Sequence, residues 1–165
     1  MFKMNFKKII PNTLIVLTIF LMDRIFKIYI LKIAELEEKV DIYINSFLNF
    51  YLIWNKGIAF GLLSFDRIII YQLISLIIFT ISVVLIFIII KSEGLKKYAS
   101  ISILGGALGN LFDRIYYSAV PDFIDLHFNG FHWFIFNLAD IFITIGVMCL
   151  ILDEIFFYKK NNEIK

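Results

Sequence analysis

Four long stretches of mainly apolar residues dominate the pattern of the chain: Ile9–Leu31, Ile68–Ile90, Tyr98–Tyr117 and about Phe134–Phe157. Each reaches the roughly 20 residues that an α-helix needs to cross about 30 Å of hydrocarbon at ~1.5 Å per residue. The second carries no charge from Ile68 to Ile90, whereas the other three hold charged residues inside apolar surroundings. The pattern predicts an all-α membrane protein, with four transmembrane helices in one integral membrane domain covering residues 1–165. The first stretch follows Lys3, Lys7 and Lys8, as the apolar part of a secretory signal would. It nevertheless runs on past Asp23 to Leu31 without a small-residue cleavage site, so it reads as a retained span.

Between the apolar stretches, charge decides orientation. Lys3, Lys7 and Lys8 precede span one, Lys91, Lys96 and Lys97 separate spans two and three, and Lys159, Lys160 and Lys165 follow span four. The positive-inside rule places all three clusters, and with them both termini, in the cytoplasm. Lys32–Arg67 and Ser118–Trp133 are then outside. The first of these opens with a charged patch, Glu35 to Asp41, and continues from Ile42 to Trp54 with β-branched and aromatic residues, partly alternating. One or two strands on the membrane surface are expected there. Trp54 and Trp133 suit the aromatic belt at the interface.

Composition agrees with lipid as the solvent: 61% of residues are hydrophobic and mean hydropathy is +0.86, against about 45–50% apolar residues in soluble domains. The basic clusters are short, juxtamembrane and not interleaved with aromatic platforms, which argues against nucleic acid as a partner. Cys149 is the only cysteine and lies inside span four, so it reads as a packing residue. His127 and His132 are the only histidines. Without a His-Glu-x-x-His or paired-Cys spacing, no zinc site is expected.

Topology sorts the remaining polar residues by depth. Asp23 lies about 12 Å of helix before the outer end of span one. Asn110, Asp113 and Arg114 fall in the last turns of outward-running span three, Asn137 and Asp140 in the first turns of inward-running span four, and Asp122 in the connection between them. All converge on the outer half of the membrane. A charge in hydrocarbon costs at least ~2.5–3.5 kcal/mol on insertion scales and usually faces the bundle interior for a purpose. For Asp23 with Lys27, and for Asp113 with Arg114 or a base on span one, ion pairing that merely aids packing is an open alternative. Asp122 and Asp140 have no base beside them in sequence. Two carboxylates at one low-dielectric site cannot easily both ionise, so such a pair shares a proton, as acid–base activation of water requires. Asp125, three residues beyond Asp122, reads as a residue facing water. Gly105 and Gly109 form a G-x-x-x-G that permits close helix approach and are read as packing residues.

The runs Asn55-Lys-Gly-Ile-Ala-Phe-Gly61, Gly105-Gly-Ala-Leu-Gly-Asn-Leu-Phe-Asp-Arg114, Val120-Pro-Asp-Phe-Ile-Asp125 and Phe136-Asn-Leu-Ala-Asp140 resemble the signature blocks of the lipoprotein signal peptidases (signal peptidase II), and Asp23 with Lys27 resembles their first block. The resemblance covers essentially the whole chain, in order. It implies four transmembrane helices with a small extracytoplasmic β-cradle and a short surface helix. Asp122 and Asp140 would be the catalytic aspartates, Asn55, Asn110, Arg114 and Asn137 polar residues that bind substrate, and Asp23, Lys27 and Asp113 supporting residues. The implied substrates are prolipoproteins whose lipobox Cys carries diacylglyceryl, cut just before that Cys in the bacterial cytoplasmic membrane, with membrane lipid as the other partner and without metal or organic cofactor. Pro121 is an unusual neighbour for Asp122, and monomeric action is left open. A small proton-coupled transporter is the rival from another class, since intramembrane acids also mark proton pathways. It leaves the long aromatic outer segment unexplained.

Overall fold

The computed structural model describes residues 6–57 and 67–162. Lys3, Lys165 and the part of the Asn55–Gly61 run beyond Gly57 lie outside the described residues. Four helices form, α1 Phe6–Glu37, α2 Arg67–Lys91, α3 Gly94–Tyr117 and α4 Leu138–Asn162, together with four strands, β1 Asp41–Asn45, β2 Leu48–Asn55, β3 Val120–Phe128 and β4 Phe131–Phe136. The strands make one antiparallel sheet in the order β1-β2-β3-β4.

The expected all-α class is therefore wrong: the chain is a helical bundle carrying a four-stranded sheet. Two strands come from the first outer segment, where strands were expected. The other two come from Ser118–Phe136, which was read as a plain connection running into a span. There the signal lies in Asn129-Gly130, whose φ values of 50° and 78° suit the two-residue type I′ turn that matches strand twist. It pairs Phe128 with Phe131 and His127 with His132. The apolar, aromatic composition of Phe131–Phe136 imitates the start of a span. The first turn of α4 begins only at Leu138. Among residues 38–57 there is no short surface helix.

Helix α3 occupies the centre, in contact with α1, α2 and α4. Small residues allow this. A Cβ on Gly105 would stand 2.7 Å from the Ile19 side chain, and one on Gly106 2.5 Å from the Ala139 carbonyl oxygen, so α1 and α4 approach α3 closely on two sides. One apolar core, around Val16, Leu85, Ile89, Ile101, Ile103 and Leu104, fills the bundle toward the α2–α3 connection. A second, around Ile30, Val40 and Phe123, packs the sheet onto the end of α1. The outward faces of the helices are apolar as well: Ile25, Leu76, Phe87, Ile115 and Phe156 are all more than 45% exposed, a surface that suits hydrocarbon rather than water. By length and composition, Ile69–Lys91, with a mean hydropathy of 3.3, is apolar enough to cross a membrane. Helices α1 and α3 carry the buried charges described next.

Candidate active site

Beneath the sheet, α1, α3 and α4 bury a network of four charges. Asp23 on α1 is fully buried and pairs with Lys27 one turn later at 2.9 Å and with Arg24 at 3.1 Å. Asp113 on α3 accepts Lys27 Nζ at 2.6 Å and stands 2.6 Å from Arg24 Nη1. Two acids and two bases leave the cluster neutral, which is the condition under which charge tolerates burial. The base for Asp113 thus comes from span one and not from its neighbour Arg114. Arg24, which sequence reading passed over, completes the balance. Its guanidinium also lies over the Phe112 ring, 4.9 Å from the centroid.

The network ends on the start of α4. Asp23 Oδ1 accepts the Ala139 amide at 3.0 Å, placing an anion where the first-turn N–H groups of a helix lack partners. Gly109 makes room for this, because a Cβ there would sit 2.5 Å from Asp23 Oδ2. Gly109 is therefore the seat of a carboxylate as well as a packing residue. Asn137 and Asp140 form a reciprocal cap on the same turn: Asn137 Oδ1 accepts the Asp140 amide at 3.2 Å and Asp140 Oδ2 accepts the Asn137 amide at 3.1 Å.

Two carboxyl groups meet across this cap. Asp122 on β3 accepts Asn137 Nδ2 at 2.6 Å on Oδ1 and Asn55 Nδ2 at 2.8 Å on Oδ2. Asp140 accepts Asn110 Nδ2 at 2.8 Å on its other oxygen. Asn110 in turn accepts Lys27 Nζ at 2.9 Å, so an ammonium on one side and a carboxylate on the other fix which way its amide points. Among the described residues, neither aspartate has a cation as a direct partner, in contrast to Asp23 and Asp113. Burial, the largest influence, pushes the Asp122 carboxyl up to about 6. The amides of Asn137 and Asn55 work against that rise, and the nearby Asp140 charge adds to it.

Of the sequence-predicted site residues, Asp122, Asp140, Asn55, Asn110 and Asn137 are brought together directly, and Asp23, Lys27 and Asp113 stand behind them. Arg114 is placed elsewhere. Its guanidinium lies over the Tyr71 ring, 5.1 Å from the centroid, and beside Gly57. Asp125 does not face water. It is buried at 3% exposure and hydrogen-bonded to His132 Nδ1 at 2.8 Å, because β3 turns alternate side chains to opposite faces of the sheet. Pro121 sits opposite Trp54 of β2, ahead of Ile124, where pairing with β4 begins. A residue without an N–H fits there at little cost.

A family profile described as signal peptidase (SPase) II matches residues 15–156. The chain is 58% identical to a lipoprotein signal peptidase of Pelagibacter ubique (strain HTCC1062), over 98% of both chains. It is 43% identical to one of Francisella tularensis subsp. novicida (strain U112), over 76% of this chain and 81% of that one. A solved structure described as a bacterial membrane enzyme superposes with a TM-score of 0.74 at 29% identity, covering 100% of this chain and 96% of the other.

Proposed function

The chain belongs to the signal peptidase II family, and on that premise we propose that Asp122 and Asp140 are the dyad with which it hydrolyses its substrates. Membership makes it a protease that removes signal peptides from prolipoproteins, and the transporter reading is set aside. The observation that carries the dyad is the shared Asn137, whose side-chain amide holds Asp122 while its backbone amide holds Asp140. Both carboxyl groups are thereby aimed from the sheet and from the α4 cap at one place, with no cation among the described residues to neutralise either directly.

The chemistry follows from that arrangement. One carboxylate takes a proton from water as the water oxygen attacks the scissile carbonyl carbon. The other, protonated, donates to the carbonyl oxygen and stabilises the charge that develops there. As the C–N bond breaks, a proton passes to the leaving amine of the new N-terminal Cys. Asn55 and Asn110 position the acids, and substrate contact falls to Asn55, Asn137 and, toward the peptide or lipid, Arg114. All this proceeds with protein side chains and water alone.

The finer substrate is a prolipoprotein whose Cys already bears diacylglyceryl. The exposed apolar faces of the helices and the aromatic rim, with Trp54 42% and Trp133 64% exposed, support a site at the level of the membrane interface. The lipid would bring the scissile bond to that depth. A gel-shift assay of purified protein with modified and unmodified precursor tests this: only the diacylglyceryl form should be cut, and equal turnover of both would refute it.

The three lysine clusters support four spans with both termini cytoplasmic. A cysteine introduced for Ser46, in the β1–β2 turn, should then be labelled from outside intact spheroplasts, and one introduced for Ser92, between α2 and α3, should not. Reversed labelling would undo the orientation.

The dyad also fixes a pH dependence. The reactive form needs one carboxyl ionised and one protonated, and the Asp140 charge helps Asp122 keep its proton, so kcat/KM should fall as pH rises through about 6, where Asp122 loses it. Asn55→Leu removes a donor that favours the ionised form, so this basic limb should move to higher pH. A limb that stays in place or moves down would separate Asn55 from the titrating group.

A further inference from the structure

The β3–β4 hairpin carries three side chains that the hydrolytic chemistry does not use. His127 and His132 are register partners across the two strands, and side chains so paired share one face. Asp125 lies two residues before His127 and so points to the same face, opposite to that of Asp122. Both histidines turn Nδ1 toward this carboxylate, at 2.8 Å for His132 and 3.7 Å for His127. One ligand atom from each residue fits within a span of 4.8 Å. Ligands of a tetrahedral zinc ion, bound at about 2.0–2.1 Å, stand roughly 3.3–3.4 Å apart. The cluster brackets that spacing.

Two further features favour a cation at this face. His127 Nδ1 is buried without a hydrogen-bond partner among the described residues, and so is the side-chain oxygen of Asn49, the residue opposite Asp125 on β2. Two polar atoms are thus left unsatisfied in one patch, where burial makes such a loss costly. A cation bound by His127 satisfies the first, and a water on that cation can donate to the second. The histidine-rich donor set selects a late first-row ion over Mg2+ or Ca2+, which prefer oxygen. His132, 58% exposed, leaves a path from solvent.

We propose that Asp125, His127 and His132 form a three-ligand site for a divalent cation of the Zn2+ kind, with water as fourth ligand, which clamps the hairpin and is separate from the hydrolytic dyad. The test uses full-length protein purified in detergent without a histidine tag, stripped with chelator and dialysed against Zn2+. Elemental analysis should find one Zn2+ per chain, Co2+ should give the visible absorption of a four-coordinate site, and Zn2+ should raise Tm. His132→Ala, on an exposed side chain, and His127→Ala should lose the bound metal and the shift in Tm, while Asp122→Asn should keep both. Zinc retained equally by both histidine variants, absent from the unaltered protein or lost in Asp122→Asn would overturn the proposal.

Discussion

Replacing either Asp122 or Asp140 by Asn should abolish prolipoprotein cleavage, with a loss on the order of 10³-fold or more, while leaving a folded protein that still binds substrate. General acid–base groups contribute about 10²–10⁴-fold each, and here the two share one task. Each substitution keeps the size of the side chain and at least one of its hydrogen bonds to Asn137, Asn55 or Asn110. Because the pair acts as a unit, the double variant should be little worse than either single one. Asp41→Asn is the appropriate control, since that carboxylate is half exposed and pairs with the exposed Lys39. Asp125→Asn is not, because Asp125 is buried among histidines. Near-normal turnover by Asp122→Asn at matched expression would remove the assignment.

The largest effect on stability is expected at Lys27. Its ammonium is fully buried and touches Asp23, Asp113 and Asn110 at 2.6–2.9 Å. Lys27→Met preserves much of the packing and leaves two carboxylates facing Arg24 alone, so the cluster gains an uncompensated negative charge. Breaking a buried pair by removing one partner costs about 3–5 kcal/mol, or roughly 6–20 °C in Tm for a chain of this size. Lys27→Met with Asp113→Asn restores neutrality and should recover part of the loss, which a purely steric defect would not. A Tm within about 1 °C of the unaltered protein in detergent would show that the network contributes little to the fold. Activity should fall as well, since Asn110 and the α4 cap are held by Lys27 and Asp23.

What the sequence by itself determined follows from rules that act locally. Long apolar runs need only their own backbone hydrogen bonds, so α1 to α4 were legible to within a few residues, apart from the extension of α1 to Glu37 and the start of α4. The convergence of Asp23, Asn110, Asp113 and Asp140 on one half of the bundle came from counting residues along spans. The same counting could not say which acids would be paired. Asp23 and Asp113 are tied to Lys27 and Arg24, whereas Asp122 and Asp140 are held by amides, and that division depends on how α1 and α4 pack on the glycines of α3. The second hairpin escaped because β4, Phe131–Phe136, is as apolar and aromatic as the start of a span: composition alone does not separate such a strand from a helix end. Its register then decided the rest. One residue of alternation turns Asp122 toward Asn137 and Asp125 toward two histidines, and the cap that joins Asn137 to Asp140 exists only where β4 hands over to α4. Such convergence is set by pairing between distant segments, which the local periodicities of a chain do not encode.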